Sequence, residues 1–424
     1  MEKVKNDYDN IIVGEKHMKI IDGGVTSAKG FEAASAAAGI KYQGRTDMAM
    51  IYSKKPCKTA GAFTTNLVKA APVIWDKTVV ESGVKSHVVV VNSGIANACT
   101  GEEGLRYCSE TAKKAAEVMG VDANGVLIGS TGVIGMQMPM DKVTAGIEKL
   151  ADTKQATREA GHLAAKAIMT TDTKEKEIAV TIEIGGKTVT VGGMAKGSGM
   201  IHPNMCTMLS YITTDAAITK KALVKALKTD VKDTYNMISV DGDTSTNDTV
   251  LVLANGMAKN PKIHCGTAEY QLFLEALHFV NETLAKKMAG DGEGATALFE
   301  VKIVGAKSKK QAKVLAKSVV CSNLTKTAIA GHDANWGRIL CAMGYSGENF
   351  EQDKVDLFFE SAAGKIQLIK DGVGLDFDEE KATMILSEPE VTAIADLKEG
   401  NEQATAWGCD LTHGYIDINA DYRS

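Results

Sequence analysis

The sequence predicts a mixed α/β fold, because runs typical of strands alternate along the chain with segments of helical spacing. Residues 87–92 (HVVVVN) form a continuous β-branched run, as expected for a buried strand. In residues 105–119, apolar side chains recur at helical spacing and stop at Gly120. With 424 residues, of which 44% are hydrophobic and 24% charged, the chain has an ordinary globular composition and fills two or three domains or one large layered domain.

Composition argues against several classes of partner. The net charge is −5 and no basic stripe stands out, so neither nucleic acid nor an anionic membrane is expected to bind. The N-terminus has no signal-like apolar region, and no apolar run reaches the ~18 residues of a membrane helix. We therefore expect a cytoplasmic protein. The eight cysteines form no C-x-x-C pair, and neither an HExxH motif nor a Cys/His cluster is present, so no metal site is expected.

The first half of the chain predicts these elements in order. A short strand lies within residues 1–22, and further strands are expected at 48–52, 61–65, 87–92 and 126–128, with the helix 105–119 between the last two. A glycine-rich loop, 129–135, leads to helices at 143–150 and 158–169. Strands 178–184 and 188–191 then form a hairpin, because Gly185-Gly186 suits a tight turn.

In the second half, the predicted elements start with a buried strand or core segment at 208–212. They continue with a lysine-rich helix at 218–236 whose charged face is solvated, a strand at 249–254, a helix at 268–288, a strand at 299–304 and a helix at 309–319. The acidic, turn-like segment 241–248 is similar in composition to a calcium loop, but it lacks the EF-hand positions of Gly and Glu.

Residues 196–216 (KGSGMIHPNMCTMLSYITTDA) join a glycine- and proline-containing loop to a core segment. Thr207 stands at this junction, where a nucleophile would be supported on one side and accessible on the other. A threonine hydroxyl needs a base, and an N-terminal threonine supplies its own α-amino group, whose ordinary pKa is about 7.7–8.0. A lone threonine here would more often simply open a strand, so the hypothesis depends on the surrounding motif.

That surrounding motif resembles the signature of the ArgJ family, the ornithine acetyltransferases (glutamate N-acetyltransferases) of arginine biosynthesis. The family pattern is KGSGM-I-x-PNMATML followed by TDA, and Cys206 stands where alanine is usual. Further stretches resemble the family's GGVT, NSG-x-ANACTG, TTDT, DGDTSTND and DGEGAT motifs, the last followed by Ala297 in place of the usual lysine. The resemblance covers essentially the whole chain.

The resemblance implies a layered αββα sandwich of the DmpA/ArgJ type, superficially like N-terminal-nucleophile hydrolases. It implies self-cleavage between Cys206 and Thr207, which divides the chain into an α chain, 1–206, and a β chain, 207–424, in an α2β2 assembly. Thr207 would move acetyl from N-acetylornithine to glutamate through an acetyl-Thr207 intermediate, giving ornithine and N-acetylglutamate. This chemistry needs no metal or organic cofactor, and the sequence leaves open whether acetyl-CoA also serves as donor.

The resemblance also assigns site residues. Thr131 and Gly132 would form the oxyanion hole, which stabilises a tetrahedral intermediate by about 3–4 kcal/mol per donor. Without the match, 129–135 would be an ordinary turn, since it lacks the Lys-Ser/Thr of a phosphate-binding loop. Lys196 would meet a substrate carboxylate and Glu293 a substrate ammonium group. The remaining substrate contacts implied by the resemblance are Thr170, Asn419 and Ser424, together with Thr207 itself.

Two other functions remain open at this point. A related N-terminal-nucleophile aminopeptidase would pass the acyl group to water, and a non-enzymatic binding protein would never cleave. Three further polar residues are interpreted without a role: Lys41 and Arg45 as solvated surface charges, and His332 as a structural loop histidine rather than a base.

Overall fold

The computed structural model describes residues 18–202 and 208–421. Within these ranges, nine strands form the first sheet in the order β1-β6-β7-β8-β9-β3-β4-β5, with β2 paired to β3. Their bounds are β1 Met18–Ile21, β2 Phe31–Ala36, β3 Met48–Phe63, β4 Ser86–Ile95, β5 Leu127–Val133, β6 Lys176–Ile184, β7 Lys187–Lys196, β8 Leu209–Thr214 and β9 Thr249–Ala254.

This sheet folds over on itself at the long strand β3, which pairs with β2 and β4 through its first half and with β9 through its second half. Alternate valines of β4 show the consequence. Val89 and Val91 pack in one cluster with Leu251 and Leu253 of β9, whereas Val88 and Val90 face the other way. Since side chains alternate across a strand, the two halves of the sheet face each other with a shared apolar interior.

Helices cover both outer faces. The helices of the described residues are α1 Ala71–Ser82, α2 Glu102–Met119, α3 Met140–Thr153, α4 Arg158–Ala167, α5 Lys220–Asp230, α6 Ala268–Gly290, α7 Lys309–Val320, α8 Asn323–Ala330, α9 Trp336–Gly344, α10 Glu379–Leu386 and α11 His413–Ala420. Helices α2 and α3 pack on the β2–β5 half, α6 packs on β6 and β7, and α5 packs on the second half of β3, where β3 pairs with β9. The predicted layered αββα sandwich is confirmed.

A second sheet lies beyond α6. Its strands, in the described part of the chain, run β13-β12-β11-β14-β10-β15. Their bounds are β10 Leu298–Ala306, β11 Asp356–Ser361, β12 Gly364–Lys370, β13 Val373–Gly374, β14 Glu390–Asp396 and β15 Glu402–Cys409. Because α6 contacts β6 and β7 on one side and β10 and β15 on the other, a single apolar cluster joins the sandwich to this sheet.

Three predicted boundaries were wrong. The predicted strands 48–52 and 61–65 are one strand, β3, in which exposed Pro56 lies where the pairing register with β4 shifts, a position that tolerates proline. The predicted loop 129–135 continues strand β5 as far as Val133, since it pairs with β4. The predicted helix 218–236 ends at Asp230, and a short 3-10 turn, Tyr235–Met237, follows.

Across residues 18–202 and 208–421, no helix combines the length and apolar character required to cross a membrane.

Helices α5 and α6 are joined by a charged histidine. His278 Nδ1 lies 2.6 Å from buried Asp230 Oδ1, and its Nε2 lies 3.2 Å from Glu282 Oε2. Hydrogen bonds to Asp230 and then Glu282 raise the pKa of His278 to about 10, despite partial burial. The imidazolium therefore stabilises the helix pair at neutral pH.

We expect this contribution to disappear at alkaline pH. Because the folded-state pKa of His278 exceeds the ordinary value of about 6.5, the stabilisation is full below that value and is lost as pH rises through about 10. The free energy of unfolding of native protein minus that of His278→Gln should thus shrink across this window in urea titrations. His264→Gln, at an exposed histidine, is the control and should show no such trend. A pH-independent difference for His278→Gln would contradict the assignment.

Candidate active site

One end of the sandwich contains a cavity of about 350 Å³ where the ends of β5, β7 and β8 meet. Strand β5 contributes Thr131, Gly132 and Val133, strand β7 contributes Lys196, and strand β8 contributes Leu209. Other walls come from loops, at residues 170–171, 199–201 and 245–248, and from Glu293 and Asn419. Six residues that the sequence predicted for the site therefore share one cavity: Thr131, Gly132, Thr170, Lys196, Glu293 and Asn419.

Close approach of two backbones shapes the β5 wall. Gly132 pairs with Gly94 of β4 and has φ of 131°. A Cβ atom on Gly132 would lie 2.2 Å from the Gly94 carbonyl carbon, so no residue with a side chain fits there without moving the backbone. Asn247 secures the same region, since its amide donates to the carbonyls of Ser130 at 2.8 Å and Ala96 at 2.6 Å. Thr131 and Gly132 are thus held in a rigid frame.

Among the described residues that line the cavity, Lys196 is the only lysine or arginine, and it is only 7% exposed. Its Nζ donates to Thr170 Oγ1 at 2.8 Å and to Thr131 Oγ1 at 3.3 Å. Because Thr131 Oγ1 accepts this bond, its own proton is available to another acceptor in the cavity. Lys196 therefore orients a predicted oxyanion-hole hydroxyl as well as presenting positive charge.

Asp172 stabilises the positions of Thr170 and Lys196. Its buried carboxylate accepts hydrogen bonds from Gly197 N at 2.6 Å, Thr170 N at 3.0 Å and Lys176 Nζ at 2.8 Å. Its Oδ2 also lies 3.7 Å from Lys196 Nζ. Burial alone would raise the pKa of Asp172, but Lys196 and Lys176 lower it well below its usual value, so the group stays ionised.

Glu293 contributes a carboxylate to the cavity wall. Thr171 Oγ1 donates to its Oε1 at 2.6 Å, and Asn419 Nδ2 donates to its Oε2 at 2.8 Å. Gly199 provides the space, because a Cβ atom there would lie 2.2 Å from Glu293 Oε2. Consecutive threonines, 170 and 171, thus contact Lys196 and Glu293, respectively.

The glycine-rich loop before residue 203 is held by Asp241. Its carboxylate accepts from Met200 N at 2.6 Å and from Ile201 N at 2.8 Å, with Met200 in the left-handed conformation at φ 54°. Tyr415 also donates its hydroxyl to Asp241 at 3.2 Å. The same carboxylate therefore connects this loop to the C-terminal helix.

Helix α11 is held at several points, so Asn419 keeps a defined place in the cavity. Thr412 Oγ1 donates to the Gly294 carbonyl at 2.6 Å. A Cβ atom on Gly294 would lie 2.4 Å from Tyr415 N, which shows how tightly the helix start packs on the 291–296 loop. Chain ends commonly fray, but here the described end of the chain is tied to the site.

Cys206, Thr207 and Ser424 lie outside the described residues, so their predicted roles remain predictions. Met208, which follows Thr207 in the chain, lines the cavity. His332 is exposed and its Nδ1 lies 3.3 Å from Ser387 Oγ, and it is not among the cavity residues. Ala297 is buried beside Asp410, which accepts from its N–H at 3.1 Å, and does not line the cavity.

Several residues that support the site were not predicted from the sequence, and Arg45 was interpreted wrongly. Asp172, Gly199 and Asn247 had no individually assigned role, although each lies within a motif that was noted. The four-residue spacing of Asp172 and Lys176 in the sequence was an available signal for the ion pair that they form. Arg45 is not simply solvated, because its guanidinium donates to the carbonyls of Met169 and Thr170.

We expect Asp172→Asn to lower the free energy of unfolding by about 3–5 kcal/mol, because it leaves two buried lysines with less compensating charge. Denaturant titration measures the loss, and Asp376→Asn, at an exposed aspartate, is the matched control. The lowered pKa of Asp172 adds a pH signature. Its stabilisation is present above the ordinary value of about 3.9 and is lost as pH falls, so the difference between native and Asp172→Asn should shrink in acid. Equal stabilities at neutral pH would contradict the assigned role.

Comparison with known proteins agrees with the resemblance seen in the sequence. Residues 32–424 match the model of the ArgJ family. Arginine biosynthesis bifunctional protein ArgJ of Caldanaerobacter subterraneus subsp. tengcongensis is 52% identical over 407 residues, which cover 96% of this chain and 100% of that protein.

Two solved structures are also similar. Arginine biosynthesis bifunctional protein ArgJ from Bacillus halodurans is 46% identical, with a TM-score of 0.49, and the match covers 50% of this chain and 99% of that chain. Ornithine acetyltransferase from Mycobacterium tuberculosis, complexed with ornithine, is 39% identical, with a TM-score of 0.41, covering 44% of this chain and 98% of that chain. Since the family model spans nearly the whole sequence and a relative is 52% identical along it, the chain belongs to the ArgJ family.

Proposed function

We propose that the protein is a glutamate N-acetyltransferase of arginine biosynthesis that moves acetyl from N-acetylornithine to glutamate through an acetyl-Thr207 intermediate. In this proposal the chain first cleaves itself between Cys206 and Thr207, which yields an α chain, 1–206, and a β chain, 207–424. Membership of the ArgJ family supports the activity. The relative named above is called bifunctional, which supports acetyl-CoA as a second donor.

One observation carries the proposal. Met208, the residue after Thr207, lines the same cavity as Lys196 and Glu293. That cavity therefore has a cation and a carboxylate beside the chain position of the proposed nucleophile. An amino acid carries a carboxylate and an ammonium group, and these two side chains complement them.

Self-cleavage and transfer use the same hydroxyl. In the first reaction, Thr207 Oγ attacks the Cys206 carbonyl carbon, the peptide C–N bond breaks, and water hydrolyses the resulting ester. The released α-amino group of Thr207 is then the base for its own hydroxyl. Cysteine is nearly as small as the alanine usual in the family, so cleavage should tolerate Cys206.

Transfer then proceeds in two halves. Thr207 Oγ attacks the acetyl carbonyl carbon of N-acetylornithine while its α-amino group takes the hydroxyl proton. As the C–N bond breaks, that proton passes to the departing amine and ornithine leaves. The neutral amine of glutamate attacks the acetyl ester, its proton passes through the Thr207 α-amino group to Thr207 Oγ as the C–O bond breaks, and N-acetylglutamate leaves. Both tetrahedral intermediates carry an oxyanion that Thr131 and Gly132 would stabilise.

The arrangement of Lys196 adds a physical reason for this assignment. Lys196 donates to Thr131 Oγ1, which leaves the Thr131 hydroxyl proton free to point at the oxyanion. Because the ionised carboxylate of Asp172 lies 3.7 Å from Lys196 Nζ, the positive charge of Lys196 is held in place before substrate binds. Preorganised donors of this kind lower the barrier without reorganising during the reaction.

The proposal includes a cytoplasmic location, an α2β2 assembly and no requirement for a metal or organic cofactor. The family match does not favour the aminopeptidase alternative, which would pass the acetyl group to water. Release of ornithine from N-acetylornithine, measured with and without glutamate, separates the two. Transfer requires glutamate for sustained turnover, whereas hydrolysis does not.

The first prediction of the proposal concerns chain integrity. Native protein should give two masses under denaturing conditions, one ending at Cys206 and one beginning at Thr207. Thr207→Ala should stay a single full-length chain without transferase activity, because no hydroxyl is available. Thr207→Ser, which keeps a hydroxyl, is the matched control and should still cleave.

A single uncleaved native species that nonetheless transfers acetyl would exclude Thr207 as an N-terminal nucleophile. If the protein gives two chains but shows no transfer activity, cleavage occurs as proposed and the assigned donor or acceptor is wrong.

The second prediction concerns the oxyanion hole. Thr131→Ala should lower kcat by about 10²–10³ with little change in KM, because the lost donor acts on the transition state. Steady-state kinetics with N-acetylornithine and glutamate measure both constants. Thr78→Ala, at an exposed threonine of helix α1, is the control and should be unaffected. A raised KM at unchanged kcat would instead make Thr131 a substrate-binding residue.

A further inference from the structure

A loop at residues 39–45, here called the Tyr42 loop, lies against two walls of the cavity. Arg45 donates to the Thr170 carbonyl at 3.3 Å and to the Met169 carbonyl, and the Thr170 hydroxyl lies in the cavity. On the other side, a Cβ atom on Gly94 would lie 3.1 Å from Lys41 Cβ, and Gly94 pairs with Gly132. The loop therefore stands directly beside the proposed acyl-transfer centre without being part of it.

Two cations of this loop and one of helix α3 lie close to its backbone and to Tyr42. Lys41 Nζ lies 4.6 Å from the ring centroid of Tyr42 and 2.7 Å from its hydroxyl, and Arg45 Cζ lies 6.0 Å from the same centroid. Lys142, from helix α3, donates to the Gly39 carbonyl at 2.7 Å. Tyr42 itself is 41% exposed.

These cations lack carboxylate partners among the described residues. Lys41 and Lys142 donate to a phenol and a carbonyl, and Arg45 donates to carbonyls. The nearby carboxylate of Asp47, two residues after the loop, is buried and accepts from Ala38 N at 2.7 Å and Ile40 N at 2.6 Å. Two cations held around one ring without a counter-charge repel each other, and an anion bound there would relieve that repulsion.

The Tyr42 ring indicates which class of anion the loop would bind. Phosphate groups bind arginine and lysine through charge-assisted hydrogen bonds, and exposed aromatic rings stack on the bases of nucleotides. A free amino-acid substrate has neither feature and is served by Lys196 and Glu293 inside the cavity. The combination at the Tyr42 loop therefore fits a ligand with both phosphate and a base.

We propose that the Tyr42 loop, with Lys142, binds the phosphate groups of a nucleotide-bearing ligand at the cavity mouth. The assignment rests on the proposed function for the location of acyl transfer. Two sources have this chemistry: the nucleotide portion of an acyl-thioester donor such as acetyl-CoA, and a free nucleotide. Either would occupy the loop from outside and leave the cavity to the amino acid.

Adenosine 3′,5′-bisphosphate is the probe, with binding to the cleaved enzyme measured by calorimetry at low and high salt. We expect binding that weakens with salt, because the contacts are ionic and the three cations are only half-buried. The double variant Lys41→Gln/Lys142→Gln should lower affinity about tenfold or more, the scale of two lost charge-assisted contacts. Its KM for N-acetylornithine should stay within about twofold of native, since neither lysine lines the cavity.

Two control variants accompany the measurement. Lys41→Arg/Lys142→Arg keeps both charges and should retain binding. Lys187→Gln removes an exposed charge at the far end of β7, nine residues and about 30 Å from Lys196, and should leave binding unchanged.

Inhibition experiments with the bisphosphate distinguish the acyl donor from a free nucleotide as the ligand of the loop. If the bisphosphate inhibits transfer from acetyl-CoA competitively but spares transfer from N-acetylornithine, the loop holds the acyl donor. If it binds and alters transfer from N-acetylornithine while acetyl-CoA is no donor, the loop holds a free nucleotide. Both outcomes support the site.

Absence of bisphosphate binding to an enzyme that transfers acetyl from N-acetylornithine would overturn the proposal, as would unchanged affinity in the double Gln variant. Absence of transfer from any donor would instead count against the proposed function, and the binding measurements would still decide the site.

Discussion

The buried carboxylate of Asp172 is the contact on which the candidate site depends. It accepts the N–H groups of Thr170 and Gly197 and lies between the ammonium groups of Lys176 and Lys196. A carboxylate removed from water is costly unless its oxygens are fully hydrogen-bonded and paired with charge, and these four groups meet that requirement. By meeting it, they bring the Thr170 loop, the end of β7 and the glycine-rich loop into one frame.

A second buried ion pair extends this frame. Lys176 also contacts Asp291, which opens the loop that carries Glu293. Positive and negative groups therefore alternate from Lys196 through Asp172 and Lys176 to Asp291. The chain of charges fixes the separation between the basic and acidic ends of the cavity, and such a fixed separation suits a ligand with two charged groups at a set distance.

The sandwich supplies the rest of the geometry. Folding the first sheet over at β3 places the end of β5 against the ends of β7 and β8, and this arrangement brings Thr131 next to Lys196. Glycines make the contact possible at two positions, Gly132 against Gly94 and Gly199 against Glu293. Rigid strands and buried loops thus hold the cavity groups, while the Tyr42 loop presents its cations at the surface beside them.

The sequence by itself determined the mixed α/β class, the position of most helices and strands, the family and six cavity residues. Periodicity accounts for the elements, because the side-chain pattern along a strand or helix is local. The family motifs account for the cavity residues. Tertiary structure alone decided where β3 changes partners, how far β5 extends and which residues support the site. Asp172, Asn247 and Arg45 act through contacts with segments 25, 117 and 125 residues away in sequence. Such contacts exist only after the sheet has folded over, and no local pattern encodes them.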